Sequence, residues 1–473
     1  MLILVSLSII TAAIVIILVQ RYRLSLKGPI WGDAFTYLKI ALEIREQKRL
    51  PKHLDCYYTG SDSTEEFTLP PLLMVLLAPF SYFPYARVVW FPTALNLALV
   101  PLIFCSCVVL FDASFYQSLT AALLYLVTPM NANNSNYLTP RPLGLFFFFL
   151  FNISFSLYVS RLDIVYAILA TLSLSLAFLS QRMVSQIVYI CTPLLAVIGF
   201  VLYDSASFLL LLPTLVLALL LAILLSRGHF LSIVSDHFRR IYLHVKHGQQ
   251  STFEKRLGNP IQVLKMNPWV FFFIWSLYIK SSFEGGHFLF SGYATGTILL
   301  AIFWYLGNGI NHIYFTTPFL LPFLAEHLFV RVDFTILMIL GVVFSTWVIL
   351  REGRVFRRKY ISEDWLECFK FIAKMDLQGR VLVVPMISCS PILYYTDLQL
   401  VSSGHGSGAM SFNRLYLQKN ISDNGFLCRF LEEHHVDFIL LEGDFKRSLE
   451  CSSLPLQRLF ANQTLTLYQN GSV

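Results

Sequence analysis

Apolar runs, each about as long as a bilayer is thick, recur along this chain and limit what it can fold into. A helix needs about 20 apolar residues to cross the hydrocarbon core. Residues 2 to 20 form the first such run, closed by Gln20 and Arg21. Others lie at about 88–111, 118–130, 143–160, 164–180, 186–202, 206–226, 268–282, 294–307, 313–330 and 335–350. Lipid offers the backbone no hydrogen-bond partners, so runs of this kind close their hydrogen bonds internally as helices. The expected fold class is mainly α, a polytopic membrane helix bundle of about eleven spans. The first run lacks a basic leader and a small-residue cleavage site, so it reads as a retained span. With an odd number of spans the termini lie on opposite sides. The basic connection from Arg227 to Lys265 then shares a side with the first loop.

Composition supports the same class. The chain is 56% hydrophobic and 13% charged with a mean hydropathy of +0.64, which excludes an ordinary soluble domain. Its net charge of +7 is spread over loops, a pattern suited to anionic head groups of membrane lipids or phosphate-bearing substrates, and no stretch reads as a nucleic-acid motif. The eight cysteines show no paired metal-ligand spacing. Cys428 and Cys451 would pair only in an oxidising compartment.

The expected domains are a transmembrane module over 1–350, with a long first loop at 21–87 carrying interfacial helices, and a small soluble α/β domain over 351–473. In the loop, Trp31-Gly32-Asp33 opens a segment from Asp33 to Lys48 whose apolar residues Tyr37, Ile40, Ala41 and Ile44 share one helical side. Asp33 is a lone carboxylate beside the membrane, where a charge needs a reason to be. Asp is also a strong helix N-cap, so capping accounts for it equally well. A polar patch from Asp55 to Glu66 leads into Leu69-Pro70-Pro71-Leu72 and a second interfacial helix ending near Ser81. In the tail, strands are expected over 380–385, 398–401 and 436–441, a short helix over 391–395, and an edge strand near 465–468. Sequons occur at Asn420, Asn462 and Asn470.

Together these stretches resemble the type C (GT-C) glycosyltransferase superfamily, which includes protein O-mannosyltransferases, the aminoarabinose transferase and the catalytic oligosaccharyltransferase subunits. The resemblance rests on Gly32-Asp33-Ala34 with Tyr37, on Leu50-Pro51, on Pro70-Pro71-Leu72, on Thr139-Pro140-Arg141-Pro142-Leu143-Gly144, and on Tyr394-Tyr395-Thr396 leading to Gly404-His405-Gly406. It implies transfer of a sugar from a polyprenyl-phosphate-linked donor to a protein, lipid or glycan acceptor on the non-cytoplasmic face. In that family the acidic residue of the first loop serves as base or helps hold a divalent metal, and by position it maps onto Asp33. The loop at 131–142 contains no acidic residue, so the second-loop acid of the oligosaccharyltransferases is missing. That departure favours a metal-independent branch. No cofactor is assigned, and a divalent metal stays open.

Such a reaction needs a base for the acceptor and cations for the departing phosphate. Glu65 and Glu66 are the candidate second carboxylates, with a solvated acidic loop as the plainer account. Arg141, held between two prolines, and Arg182, between two apolar runs, are the candidate phosphate ligands, because a guanidinium meets phosphate oxygens bidentately. Snorkelling to the interface would equally explain Arg182. Tyr37, Lys39 and His312 complete the candidate substrate-binding set. Trp31, Phe35, Tyr57 and Tyr58 suit either sugar stacking or interfacial anchoring. Counting basic residues would place the first loop in the cytoplasm, whereas the resemblance places that loop and the tail outside it, in a plasma or endoplasmic-reticulum-type membrane. The resemblance is followed here. The competing functions are a transporter or lipid-handling permease, with Asp33, Asp204 and Glu326 as pathway charges, and a non-catalytic scaffold of the same fold.

Overall fold

The computed structural model describes residues 2–25, 34–58, 64–82, 85–88, 90–135, 138–203, 205–247, 259–279, 286–303, 309–356, 361–384, 390–401, 424–443 and 455–471. The chain divides into two compact units, one of Met1–Lys27, Tyr85–Phe230 and Lys255–Arg358, the other of Gly28–Pro84, Leu231–Glu254 and Lys359–Val473. In chain order the principal helices are α1 (Leu2–Ser25), α2 (Ala34–Gln47), α3 (Leu72–Leu77), α4 (Phe91–Phe111), α5 (Phe115–Leu126), α6 (Pro129–Asn134), α7 (Arg141–Arg161) and α8 (Ile164–Ser180). There follow α9 (Arg182–Tyr203), α10 (Leu211–Leu225), α11 (His229–His247), α12 (Pro260–Met266), α13 (Trp269–Ile279), α14 (Gly286–Phe303), α15 (Ile313–His327), α16 (Val332–Phe356), α17 (Glu363–Lys374), α18 (Ser390–Tyr395) and α19 (Asn424–Glu433). The strands are β1 (His53–Tyr58), β2 (Thr64–Glu66), β3 (Gly379–Val384), β4 (Leu398–Val401), β5 (Phe438–Glu442), β6 (Leu456–Ala461) and β7 (Leu465–Asn470).

The first unit is the helix bundle of an integral membrane protein. Among the described residues, six helical stretches are long and apolar enough to cross a bilayer: Leu2–Arg23, Phe91–Phe111, Arg141–Arg161, Arg182–Tyr203, Ala206–Leu225 and Val332–Glu352. The other five expected spans are occupied by the shorter helices α5, α8, α13, α14 and α15. Chain parity bears on these. The first loop and the tail belong to one compact unit, so an even number of crossings must separate them. Among the described residues five of the six long stretches lie between the two, an odd number that leaves room for a crossing by one of the shorter apolar helices. Inside the bundle the phenylalanines form a packed aromatic centre, in which Phe148, Phe149 and Phe319 are fully buried and the rings of Phe148 and Phe149 lie 5.1 and 5.5 Å from that of Phe319. Helices α9 and α14 pack closely because Gly292 and Gly296, four residues apart, face Leu195 and Cys191 with no room for a Cβ. The Thr192 and Tyr293 hydroxyls share a 2.8 Å hydrogen bond across the same interface.

The second unit is built on a seven-stranded sheet in the order β2-β1-β4-β3-β5-β7-β6. The strands β1, β4, β3 and β5 run parallel, and β2, β7 and β6 are antiparallel additions. One cluster sets Leu427, Phe430 and Leu431 of α19 against Leu382, Val384, Ile439 and Leu441 of the strands. Trp365, Cys368, Phe369 and Ile372 are the buried side of α17, and burial pushes the Cys368 thiol up to about 12. Three sequence expectations are revised. The polar patch from Asp55 to Glu66 is not merely a loop: its two ends are the hairpin strands β1 and β2. The segment at 465–468 is not an edge strand, because β7 lies between β5 and β6, and β6 holds the edge. The sequon asparagine Asn470 is buried, with its amide donating to the Val436 carbonyl at 3.0 Å.

Candidate functional site

In the bundle, the candidate cations lie at helix starts. Arg141 opens α7 between Pro140 and Pro142, which fix the backbone where the free N–H groups of a first turn point outward. Its Nη1 donates to Asn134 Oδ1 at 2.6 Å, and the Asn134 amide in turn donates to the Met130 carbonyl at 2.8 Å. Arg182 opens α9. The starts of α7 and α9 meet at Gly144, where a Cβ would stand 2.6 Å from Gln181 Cβ and 3.3 Å from Val184 Cγ2. The glycine of the Thr139 to Gly144 motif thus lets the two arginine-bearing helix ends come together. One turn along α9 from Arg182, Gln186 Oε1 lies 3.3 Å from Nε2 of His312, which is 1% exposed. Arg141, Arg182 and His312 therefore belong to one neighbourhood. Two positive helix ends and two guanidinium groups make a region suited to a phosphate. Gly144→Val would force these ends apart. Overpacking of this kind costs about 1–3 kcal/mol, and the expected result is a lower midpoint of thermal unfolding in detergent.

Beside Arg141 lies a buried polar network that sequence reasoning missed. The hydroxyls of Tyr125 and Tyr314 both donate to Asn96 Oδ1 at 2.7 Å. Asn96 Nδ2 donates to Ser135 Oγ at 2.6 Å, and Ser135 Oγ to the Asn131 carbonyl at 3.0 Å. Asn131 Nδ2 closes the circuit on the Tyr125 carbonyl at 3.1 Å. Trp269 Nε1 donates to Thr128 Oγ1 at 2.7 Å, just before α6. The Asn-rich segment at 131–135, notable in the sequence for its missing acid, is thus the hydrogen-bonding partner of three spans. The signal available was Asn96 itself, an amide in the midst of an apolar run, where buried polar groups require partners.

The remaining candidates belong to the second unit. Asp33 lies outside the described residues, as does the side chain of Glu65. Glu66 is exposed on β2, opposite His53 at the end of the sheet. Tyr37 is half-buried on α2. Lys39 Nζ stands 3.7 Å from the exposed Asp397 carboxylate, a surface pair worth little. Phe35 is 0% exposed, its ring 5.6 Å from Tyr394 and 5.8 Å from Tyr395. It is neither a sugar platform nor a membrane anchor; it ties α2 to α18. Burial raises the Tyr394 and Tyr395 hydroxyls above their usual value, so both stay protonated at neutral pH. Among the described residues no three His, Cys, Asp or Glu side chains gather where a metal could sit. Of the alternative pathway charges, Glu326 meets His287 Nε2 at 3.2 Å, and Asp204 lies outside the described residues. Cys428 is a free thiol, and Cys451 is also outside them.

Solved structures supply a fold. One match is the ArnT aminoarabinose transferase of Cupriavidus metallidurans bound to undecaprenyl phosphate, at a TM-score of 0.64 and 12% identity over 98% of this chain and 97% of that one. The chain has the GT-C fold. The apo form of the same ArnT matches at 0.62 with the same identity and coverage. The apo oligosaccharyltransferase of Archaeoglobus fulgidus matches at 0.60 and 11% identity, over 92% of this chain and 69% of that one. No family profile and no curated protein sequence matches. The GT-C likeness therefore stands on backbone geometry carried by a very different set of side chains.

Proposed function

We propose that the chain transfers a sugar from a polyprenyl-phosphate-linked donor to a protein, lipid or glycan acceptor on the non-cytoplasmic face, with Asp33 as the base. The observation that carries this reading is the near end-to-end likeness to an ArnT crystallised with undecaprenyl phosphate. The bond between the anomeric carbon and the donor phosphate breaks, and the acceptor oxygen takes its place on that carbon. Asp33 receives the acceptor's proton, and the phosphate leaves with the electron pair onto Arg141 and Arg182. These arginines balance its charge in a site with little water, where Coulomb interactions are strong. Tyr37, four residues after Asp33, and Lys39 on the same helix would hold the sugar, and His312 would orient the donor. Glu66, exposed on its strand, fits a solvated role better than a catalytic one.

Proteoliposomes carrying the purified chain and a polyprenyl-phosphate-linked sugar test the reading. Free polyprenyl phosphate and a labelled acceptor should accumulate together. Arg141→Ala should cut the rate by roughly 10²–10³-fold, the usual effect of removing one donor to a developing anion. Unchanged turnover in an Arg141→Ala, Arg182→Ala double variant would remove both residues from the mechanism. Solute uptake without any sugar transfer would replace the transferase with the permease.

A further inference from the structure

Arg141 is held by a neutral side chain. Its Nη1 donates to Asn134 Oδ1 at 2.6 Å, and among the described residues the ion pairs engage Lys39, Lys265, His287 and Arg331 but not Arg141. The other end of the Asn134 amide is also engaged, since Nδ2 donates to the Met130 carbonyl at 2.8 Å. A guanidinium can only donate and a carbonyl can only accept, so the orientation of this amide is fixed by its two partners. Asn134 is 3% exposed, whereas Arg141 keeps part of its surface open. Asn131, most of a turn earlier on α6, ties that helix to the Tyr125 carbonyl at 3.1 Å. The holder is therefore itself held.

An aspartate would fit the same space and clamp a guanidinium more strongly, because both partners would be charged. It would also cancel the cation's charge, and it would turn an acceptor oxygen toward the Met130 carbonyl. Mechanical strength therefore does not account for an amide at this position, whereas preserving the charge does. We propose that Asn134 is the positioning residue of the phosphate site and sets its specificity: it aims Arg141 without neutralising it, so the site takes lipids that end in phosphate and discriminates against uncharged polyprenols. The inference rests on the sugar-transfer reading above, in which Arg141 meets the departing phosphate. In a site with little water, a guanidinium free of any carboxylate stabilises the charge that develops on the leaving oxygen, whereas a paired one is largely screened. The acid missing from 131–142 then has a physical reason. A carboxylate at 134 would stand beside the phosphate and repel it.

Native mass spectrometry of the full-length chain in neutral detergent, titrated separately with polyprenyl phosphate and the matching polyprenol, measures the preference. Turnover in proteoliposomes at saturating donor measures the aim. The wild type should bind the phosphate at least roughly tenfold more tightly than the alcohol, the size of one charge-assisted hydrogen bond. Asn134→Asp should erase most of that preference, leave polyprenol binding unchanged and raise KM for the donor. Asn134→Leu, similar in volume and uncharged, should keep the preference while kcat falls roughly 10–10²-fold, because the guanidinium is no longer aimed. A merely structural residue would not give this split, since lost packing weakens both ligands together. An Asp variant that keeps the wild-type preference, a Leu variant that turns over like the wild type, or a joint loss of both ligands in either one overturns the proposal. The Leu variant decides alone where the Asp variant does not fold. A wild type that binds both ligands equally, or that transfers no sugar, removes the reading of function and this inference with it. Normal wild-type transfer beside unaltered variants removes this inference alone.

Discussion

Asp33→Asn is expected to lower sugar transfer by roughly 10²–10⁴-fold, the usual contribution of a positioned general base, with membrane insertion and unfolding midpoint unchanged. The substitution separates the two roles that the sequence leaves open. Asn caps a helix about as well as Asp, so α2, which begins at Ala34, keeps its start. An amide cannot take up the acceptor's proton. Steady-state turnover should therefore collapse with little change in donor affinity, and the melting curve should overlay that of the wild type. Full activity in Asp33→Asn would reduce the residue to a cap. A lost melting transition would make it structural, and Asp33→Ala, which removes cap and base together, gives the comparison.

Asn96→Leu should be the most damaging single change in the bundle interior. The side chains are similar in size, so little cavity arises, but the hydroxyls of Tyr125 and Tyr314 lose their shared acceptor and Ser135 loses a donor. Each buried polar group left without a partner costs about 1–3 kcal/mol, for an expected total of roughly 3–6 kcal/mol. The triple variant with both tyrosines changed to Phe should recover much of this, because removing every partner of a network is cheaper than removing one. Thermal unfolding in detergent measures both. If Asn96→Leu melts with the wild type, the three hydroxyls have found other partners and the network carries no stability.

The spans were legible because their signal is local: a run of apolar residues needs no partner to be recognised. The tail strands β3, β4 and β5 were legible for the same reason, each being a short apolar run. The hairpin of β1 and β2 was not. Thr64-Glu65-Glu66 has no alternation and no apolar residue, and β1 becomes a central strand only by pairing Tyr57 and Tyr58 with Leu400 and Val401 far along the chain. Gly144 was noticed within a motif, yet its purpose depends on Gln181 and Val184 of another helix. Phe35 looked like a residue for sugar or membrane because its partners, Tyr394 and Tyr395, lie at the other end of the sequence. The place of Arg141 at a helix start between two prolines was legible from those prolines, while Asn134, which its guanidinium meets, lay in a segment read for the acid it lacks.

The sheet of the second unit joins a hairpin made early in translation to strands made near its end. Tyr58 must wait for Val401, and at about 5–20 residues per second that interval is roughly 20–70 s. Throughout it, β1 presents an unpaired edge of the kind that invites pairing with other chains. A ribosome stalled within the last spans would leave that edge without the strand that covers it in the complete chain.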